Sequence, residues 1–206
     1  MSLVKTILDS QKVEYDDNEF EVLKDIFGAY LHYIGNGENV VNPKGNTSCY
    51  CMFQYYEGAN LNLTKFDTHN IPDMNFMFNY CKNIKHLNLS NFNTSNVKSM
   101  NGMFLNCKKL KSLNLENFNT KNVVQLENMF RFCTNLKELD ISSFHISKAK
   151  RIEGIFWNCK NLEKVKVSSN VSQFFANHKN YLFKNCNELT IIPITEFDKA
   201  IENLFY

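Results

Sequence analysis

The hydrophobic and polar positions of this chain follow one pattern that returns every 26 residues. Residues 87–112, LNLSNFNTSNVKSMNGMFLNCKKLKS, are followed by LNLENFNTKNVVQLENMFRFCTNLKE at residues 113–138, in the same register. Residues 61–86 and 139–164 fit the same frame, and the sequence from Val165 onward fits it with one residue inserted. A fixed period in this range is typical of proteins built from stacked units, none of which buries its apolar face alone.

Within each unit the spacing of the apolar residues changes. Leu87 and Leu89 alternate with polar residues, which predicts a strand over residues 85–91 with His86, Asn88 and Ser90 pointing outward. Apolar positions from 97 to 107 follow helical spacing, which predicts a short helix, and the sequence NTSN at residues 93–96 predicts the turn between the two. Each unit is therefore expected to run strand, turn, short helix and return, with the strands of successive units side by side in one parallel sheet.

The N-terminal end of the chain departs from this pattern. Residues 2–11 fit a short helix, and the apolar positions between residues 18 and 34 follow helical spacing up to Gly35, which predicts an amphipathic helix over 18–34. Residues 35–48 are rich in helix breakers and predict a loop. Residues 51–60 resemble half of a degraded unit, as expected at the end of a repeat array.

The C-terminal end also departs from the repeat pattern. Residues 171–181 keep little of the helical spacing, while Leu189, Ile192 and Ile194 predict one further strand and residues 196–205 a capping helix. The predicted organisation is an N-terminal helical region with a degenerate capping repeat over residues 1–60, the repeats over 61–194, and a C-terminal capping helix over 195–206.

Ile84, Leu87, Leu89 and Phe92 follow the leucine-rich-repeat pattern L-x-x-L-x-L-x-x-N, with Phe92 at the Asn position. The fuller unit, LxLSxFxTxxVxxMxxMFxxCxxL, resembles the BspA-type leucine-rich repeat, a bacterial repeat of about 26 residues, over roughly residues 61–194. The resemblance implies an α/β fold, a right-handed leucine-rich-repeat solenoid with a parallel sheet on one side, short helices on the other, and helical caps. It also implies a binding role without catalytic residues, often in bacterial or protist surface proteins that contact host proteins.

Composition narrows the class of protein. Hydrophobic residues make up 44% of the 206 residues, and three Pro and seven Gly exclude collagen-like and long disordered chains. No apolar run approaches the length of a membrane span. The absence of a signal peptide in residues 1–12 and the odd number of Cys, seven, favour a cytoplasmic location. A cell-surface or secreted location is the alternative for a chain whose natural start lies upstream.

Five of the seven cysteines recur at one position of the unit: Cys81, Cys107, Cys133, Cys159 and Cys186. Because free Cys is among the most buried residue types, these five predict a buried column of small apolar side chains, with disulfides between adjacent units as the alternative. Cys49 and Cys51 form a C-x-C, which is weak evidence for a metal without a second Cys or His pair.

Catalytic signatures are missing from the sequence. It contains no phosphate-binding G-x-x-x-x-G-K-[ST], no G-x-S-x-G, no H-E-x-x-H and no EF-hand loop, and the five His show no paired metal spacing. We therefore predict a non-enzymatic protein without a cofactor or a metal site.

The outward strand positions are one candidate binding surface. They change along the predicted sheet from neutral amides through an acidic middle to a basic end, which predicts either polar recognition or a face that is only solvated. The candidate residues on this strand face are His86, Asn88, Asn114, Glu116, Glu138, Asp140, Lys164 and Lys166.

Charge and one aromatic residue supply the other candidates. Residues 82–166 carry 15 Lys and Arg against 6 Asp and Glu, whereas residues 1–60 carry 4 against 9. Lys85, Lys111 and Lys137 recur at one position of the unit, which predicts either a basic docking column or a solubilising rim. Trp157 occupies a variable helix position, expected to be exposed as an interface anchor or else packed against a neighbouring unit.

These observations predict a protein-binding module of the adhesin, effector or inhibitor type, with a protein as its partner. The alternative is binding of nucleic acid or another polyanion through the Lys columns, which would weaken steeply as the salt concentration rises.

Overall fold

The structure, a computed structural model, describes residues 3–8 and 11–194, which form small parallel and antiparallel sheets with few helices. The elements are β1 (Leu3–Leu8), β2 (Gln11–Asp16), β3 (Phe20–Asp25), β4 (Gly28–Tyr33), β5 (His86–Leu87), β6 (Ser112–Leu113), β7 (Glu138–Ile141), β8 (Lys164–Ser168), α1 (Ser169–Asn177), α2 (Lys179–Leu182) and β9 (Thr190–Ile194). Strands β1 and β2 form one antiparallel hairpin and β3 and β4 another.

These two hairpins show that the helices predicted over residues 2–11 and 18–34, and with them the N-terminal helical region, are wrong. Gly28, at a φ of 130°, begins β4 directly after the turn, and the Asp25 carboxylate accepts a hydrogen bond from the Phe27 N–H at 2.7 Å. Phe20 pairs with Tyr33 across the hairpin, and both side chains are buried. The apolar spacing that indicated one helix therefore comes from two strands joined by a tight turn.

Parallel pairing joins residues that lie one period apart. Leu87 pairs with Leu113, Leu139 with Val165, and Lys164 with Thr190. On the opposite side of each unit, a row of single parallel bridges runs through Ser48, Asp73, Ser99, Gln125 and Arg151. Successive units therefore lie side by side and in register at two places, although the hydrogen-bonded strands are shorter than the predicted residues 85–91.

The core between these two sides consists of columns of equivalent residues. One column stacks the rings of Phe78, Phe104, Phe130, Phe156 and Phe183, with successive centroids 4.9–5.5 Å apart and planes within 7° of parallel. Leu87 and Leu89 are buried, and His86, Asn88 and Ser90 are exposed, which confirms the predicted alternation of the strand. The pattern of inward residues could be read from the sequence because a strand alternates its faces with a period of two.

Tight turns replace the short helix predicted after each strand. Two positions in each unit have φ between 55° and 62°, whereas an α-helix requires negative φ throughout. The residues at these positions are Phe76, Gly102, Asn128 and Gly154, and Tyr80, Asn106, Phe132 and Asn158. Backbone N–H groups alternate between a carbonyl in their own turn and one in the next unit: Met103 donates to Met100, and Phe104 donates to Met129.

Helices occur instead at the C-terminal end, over residues where the sequence shows little helical pattern. Val171 and Phe175, one helical turn apart on α1, are both buried, and Phe175 packs edge-on against Phe156. The helix α1 therefore packs beside the last two rings of the column, Phe156 and Phe183. The capping helix predicted over residues 195–206 lies outside the described residues.

Replacing Gly102 by alanine is expected to lower the free energy of unfolding by about 1–2 kcal/mol, because a side chain disfavours its φ of 58°. A Cβ atom at Gly102 would also lie 2.6 Å from the ring of Phe76. Gly154 is the matched control, since its φ is 61° but its nearest neighbour would be 3.0 Å away. Urea denaturation should therefore show a larger loss for Gly102→Ala than for Gly154→Ala, and equal or reversed losses would contradict this packing.

Candidate functional site

The strand face brings together most of the polar residues predicted for it. A shallow depression of about 610 Å³ is lined by His86, Asn88, Asn114, Glu116 and Asp140 together with their neighbours. Glu138 and Lys164 are exposed outside this depression, and Lys166 is half-buried. Whether this face binds a partner remains a prediction.

Many polar groups of the strand face bond within the chain. Asn88, Asn114 and Asp140 each accept, through Oδ1, a hydrogen bond of 2.9–3.0 Å from the backbone N–H two residues later. This arrangement is the Asx turn, which ends each strand. Lys164 Nζ forms a 3.1 Å ion pair with Glu138 Oε1. The residue types that suggested recognition therefore also have a local structural use.

The predicted Lys column lies along one edge of the strands. Lys85, Lys111 and Lys137 are all exposed, and the Lys111 N–H donates to the Lys85 carbonyl at 2.9 Å. The next unit carries Glu163 at the same position, and its N–H donates to the Lys137 carbonyl at 2.8 Å. The basic column therefore spans three units and ends at an acidic residue.

Trp157 lies in a turn and not on a helix, and its side chain is half-buried. The Arg131 guanidinium lies 4.0 Å from the centre of the indole ring, and Lys184 Nζ lies 4.7 Å from it. Trp157 is therefore packed between side chains of the neighbouring units, which was the alternative to an exposed anchor.

A groove on the turn side of the molecule was not predicted from the sequence. It has a volume of about 370 Å³ and lies between the β3–β4 hairpin and the turns of the first units. Its lining includes Asp25, Phe27, Tyr30, Tyr50, Asp73, Asn75, Phe76, Asn101, Gln125 and Arg151. At the tip of the hairpin, Ile26 is 92% exposed and Phe27 is 75% exposed.

Aromatic rings form one wall of the groove around Tyr50. Tyr50 lies 5.2 Å from Tyr30, 6.1 Å from Phe27 and 6.3 Å from Phe76, measured between ring centroids, and each pair meets edge to face. The Tyr50 hydroxyl donates a 2.8 Å hydrogen bond to Asp25 Oδ2. Burial, together with that bond to Asp25, raises the pKa of Tyr50.

Polar side chains form the floor of the groove. Asp73 Oδ1 accepts a 2.9 Å hydrogen bond from the Asn75 N–H, and burial raises the pKa of the Asp73 carboxyl. Ser99 Oγ donates to Gln125 Oε1 at 2.8 Å, and Asn75 Oδ1 accepts from the Asn101 N–H at 2.7 Å. A hydrogen-bonded row of side chains therefore runs across the units beneath the hairpin.

The family described as "Mycoplasma protein of unknown function, DUF285" matches residues 47–169 and, in a second overlapping match, residues 85–197. The chain belongs to the DUF285 family. No curated protein and no solved structure matches the chain. Both hairpins of this DUF285 protein, β1 to β4, precede the matched residues. The hairpin side of the groove therefore lies outside the family match, and its floor lies inside it.

The cysteines of the DUF285 chain all carry free thiols. Four members of the recurring set are buried, as predicted, whereas Cys186 is half-buried. Each of the five thiols donates to a backbone carbonyl of the preceding unit; Cys107 Sγ, for example, lies 3.0 Å from the Phe78 carbonyl oxygen. The cysteine column thus links units by hydrogen bonds and not by disulfides.

Thiol-specific reagents are expected to react slowly with the folded DUF285 chain. Burial raises the pKa of Cys51 to about 12, so its thiolate fraction at pH 8 is roughly a thousandfold below that of an ordinary cysteine. A colorimetric thiol titration should show all seven thiols reacting in urea and at most Cys186 reacting readily in buffer. Rapid labelling of several thiols in the folded chain would contradict the buried column.

Residues 3–8 and 11–194 of the DUF285 chain contain no group of three or more His, Cys, Asp or Glu side chains placed to hold a metal ion. Within the same residues, no helix has the length and apolar character needed to cross a membrane.

Proposed function

We propose that the chain is a non-enzymatic protein-binding module built as a right-handed leucine-rich-repeat solenoid. In this proposal parallel strands form one side of the solenoid and tight turns the other. The pairing of residues one period apart on both sides of the units supports this architecture, and so does the stacked ring column. A surface continuous across several units suits recognition of another macromolecule.

The exposed apolar tip of the β3–β4 hairpin carries the proposal. Ile26 and Phe27 are 92% and 75% exposed, although apolar side chains of this size gain about 1.5–3 kcal/mol when fully buried. They project beside a groove whose wall contains Tyr30 and Tyr50. Aromatic residues are enriched in the buried centres of protein interfaces, so the tip and the groove together suit a protein partner.

The strand face supports binding less strongly than the hairpin does. Its described outward positions carry no aromatic side chain, and Asn88, Asn114 and Asp140 already bond within their own turns. The exposed column of Lys85, Lys111 and Lys137 favours a second candidate function, binding of a polyanion. A single experiment distinguishes the two surfaces.

A random peptide library displayed on phage and panned on the immobilised chain is expected to yield binders that require the hairpin tip. The double variant Ile26→Ser, Phe27→Ser should bind the selected peptides at least tenfold more weakly, because two exposed apolar side chains are lost from the contact. The matched control, Lys85→Glu, Lys111→Glu, Lys137→Glu, should leave them unchanged. Failure to enrich any peptide would contradict the proposed function, and loss of binding only in the Lys variant would favour the polyanion surface.

A further inference from the structure

We propose that the groove beneath the β3–β4 hairpin recognises a basic segment of the partner protein. In the proposed complex, a lysine or arginine side chain inserts between the aromatic rings around Tyr50 and the carboxylates of Asp25 and Asp73. This inference rests on the proposed protein-binding function and names the chemistry of the partner.

The rings are arranged to face a cation from more than one side. Tyr50 meets Tyr30 at an interplanar angle of 85° and Phe76 at 84°, and Phe27 closes the same corner at 69° to Tyr50. Rings at near right angles form a corner in which one cation can lie over more than one ring face. A cation within about 6 Å of an aromatic centroid is attracted by about 0.5–2 kcal/mol, with the larger values in desolvated sites.

Two carboxylates that line the groove, Asp25 beside the ring corner and Asp73 on the floor, have no counter-charge in the part of the chain that the structure describes. Asp25 accepts hydrogen bonds from the Tyr50 hydroxyl and the Phe27 N–H, which hold it next to the tip of the hairpin. Asp73 is half-buried on the floor, where the desolvation that raises its pKa also makes its ionised form costly. Among the described residues, neither carboxylate forms an ion pair. An incoming ammonium or guanidinium group would supply the missing positive charge.

The charged side chains that line the groove, two carboxylates and one guanidinium, favour a cationic partner over an anionic one. Residues 1–60 carry 9 Asp and Glu against 4 Lys. Arg151 is the cationic side chain among the residues that line the groove, and its guanidinium lies 3.6 Å from Glu127. The Lys column belongs to the strands on the other side of the units, so the two surfaces attract partners of opposite charge.

The groove is also long enough to hold a short extended peptide. Its floor follows the parallel bridges from Ser48 to Arg151, which span four spacings between units. At about 4.8 Å for each spacing, this row is roughly 19 Å long, the length of about five or six extended residues. Asn75, Asn101 and Gln125 supply amide groups along it, so a short segment can lie there while one basic side chain enters the ring corner.

The test uses acetylated pentapeptides of glycine and serine with one central residue, which is arginine, lysine or citrulline. NMR titration of the whole chain should show that arginine and lysine peptides shift the resonances of Phe27, Tyr30 and Tyr50. The citrulline peptide, which keeps the shape of arginine without its charge, should bind about tenfold more weakly. The substitutions Phe27→Leu and Asp73→Asn should each lower the affinity for the arginine peptide severalfold. The control Asp140→Asn, on the strand face, should leave that affinity unchanged.

Other outcomes overturn the inference. Equal affinity for arginine and citrulline peptides would contradict the proposed cation site. Resonance shifts confined to residues of the strand face would contradict it as well. Binding of tetramethylammonium or phosphocholine micelles without binding of the peptides would assign the corner to a lipid headgroup instead.

The failure of this inference can be told apart from the failure of the proposed function. If the Ile26→Ser, Phe27→Ser variant no longer binds the library peptides while arginine peptides fail to bind the intact chain, the inference fails and the proposed function stands. If arginine peptides bind but the library peptides bind the Ile26→Ser, Phe27→Ser variant as tightly as the intact chain, the proposed docking surface fails instead.

Discussion

Replacing Phe104 by alanine is expected to lower the free energy of unfolding by about 3–5 kcal/mol. The Phe104 side chain is fully buried, and its ring lies 5.5 Å from both Phe78 and Phe130 in the central column. Its removal leaves a cavity in the middle of the column, and the rings on either side cannot close it without shifting their own units. Urea denaturation followed by Trp157 fluorescence measures the loss, which should also lower the melting temperature by roughly 10 °C.

Phe27→Ala is the matched control for this prediction, since it removes the same side chain from an exposed position. It should change the free energy of unfolding by less than about 1 kcal/mol. Similar losses for the two variants would mean that Phe104 does not lie in a closed column.

The second large effect is expected from Thr94→Val, which should lower the free energy of unfolding by about 2 kcal/mol. Thr94 is completely buried, and its Oγ1 accepts from the Asn119 N–H at 2.7 Å and donates to the Asn119 carbonyl at 3.2 Å. Valine keeps the volume of threonine but leaves both backbone groups of Asn119 without that partner. Thr68 and Thr120 make the same pair of bonds to the units that follow them.

Thr94→Ser provides the control, because it keeps the hydroxyl and loses only a methyl group. The serine variant should lose about 1 kcal/mol and retain slow exchange of the Asn119 amide hydrogen. The valine variant should exchange that hydrogen faster. A valine variant as stable as the native chain would show that the buried hydroxyl does not join the units.

The repeat period and the inward residues of the strands could be predicted from the sequence. Pairs such as Leu87 and Leu113 recur at a fixed spacing, and only one of the two strand faces is apolar. The turns after the strands could not be predicted from apolar spacing, because that spacing identifies which residues face the core and not their φ angles. The usable signal was the Gly and Asn residues at five of the eight positive-φ positions in these turns, since Gly and Asn tolerate positive φ best: Gly102, Asn106, Asn128, Gly154 and Asn158.

The groove could not be predicted because it depends on contacts between distant parts of the chain. Phe27 and Tyr50 lie 23 positions apart, and neither belongs to a full repeat. Phe27 lies in the segment predicted as a helix, and Tyr50 lies between the predicted loop over residues 35–48 and the degraded unit over residues 51–60. They meet because β3 and β4 form a hairpin that folds over the first units. The residues Asp25 to Gly28 carried the available turn signal, an Asp three positions before a Gly.

The central claim is that successive units lie side by side with an offset of one period. Nuclear Overhauser contacts between ring protons, recorded on a deuterated chain with protonated phenylalanine, test it directly. The expected contacts link Phe78 with Phe104, Phe104 with Phe130, and Phe130 with Phe156, whose ring centroids are 5.3–5.5 Å apart. Absence of these three contacts, or contacts that skip a unit, would contradict the register on which both proposed binding surfaces depend.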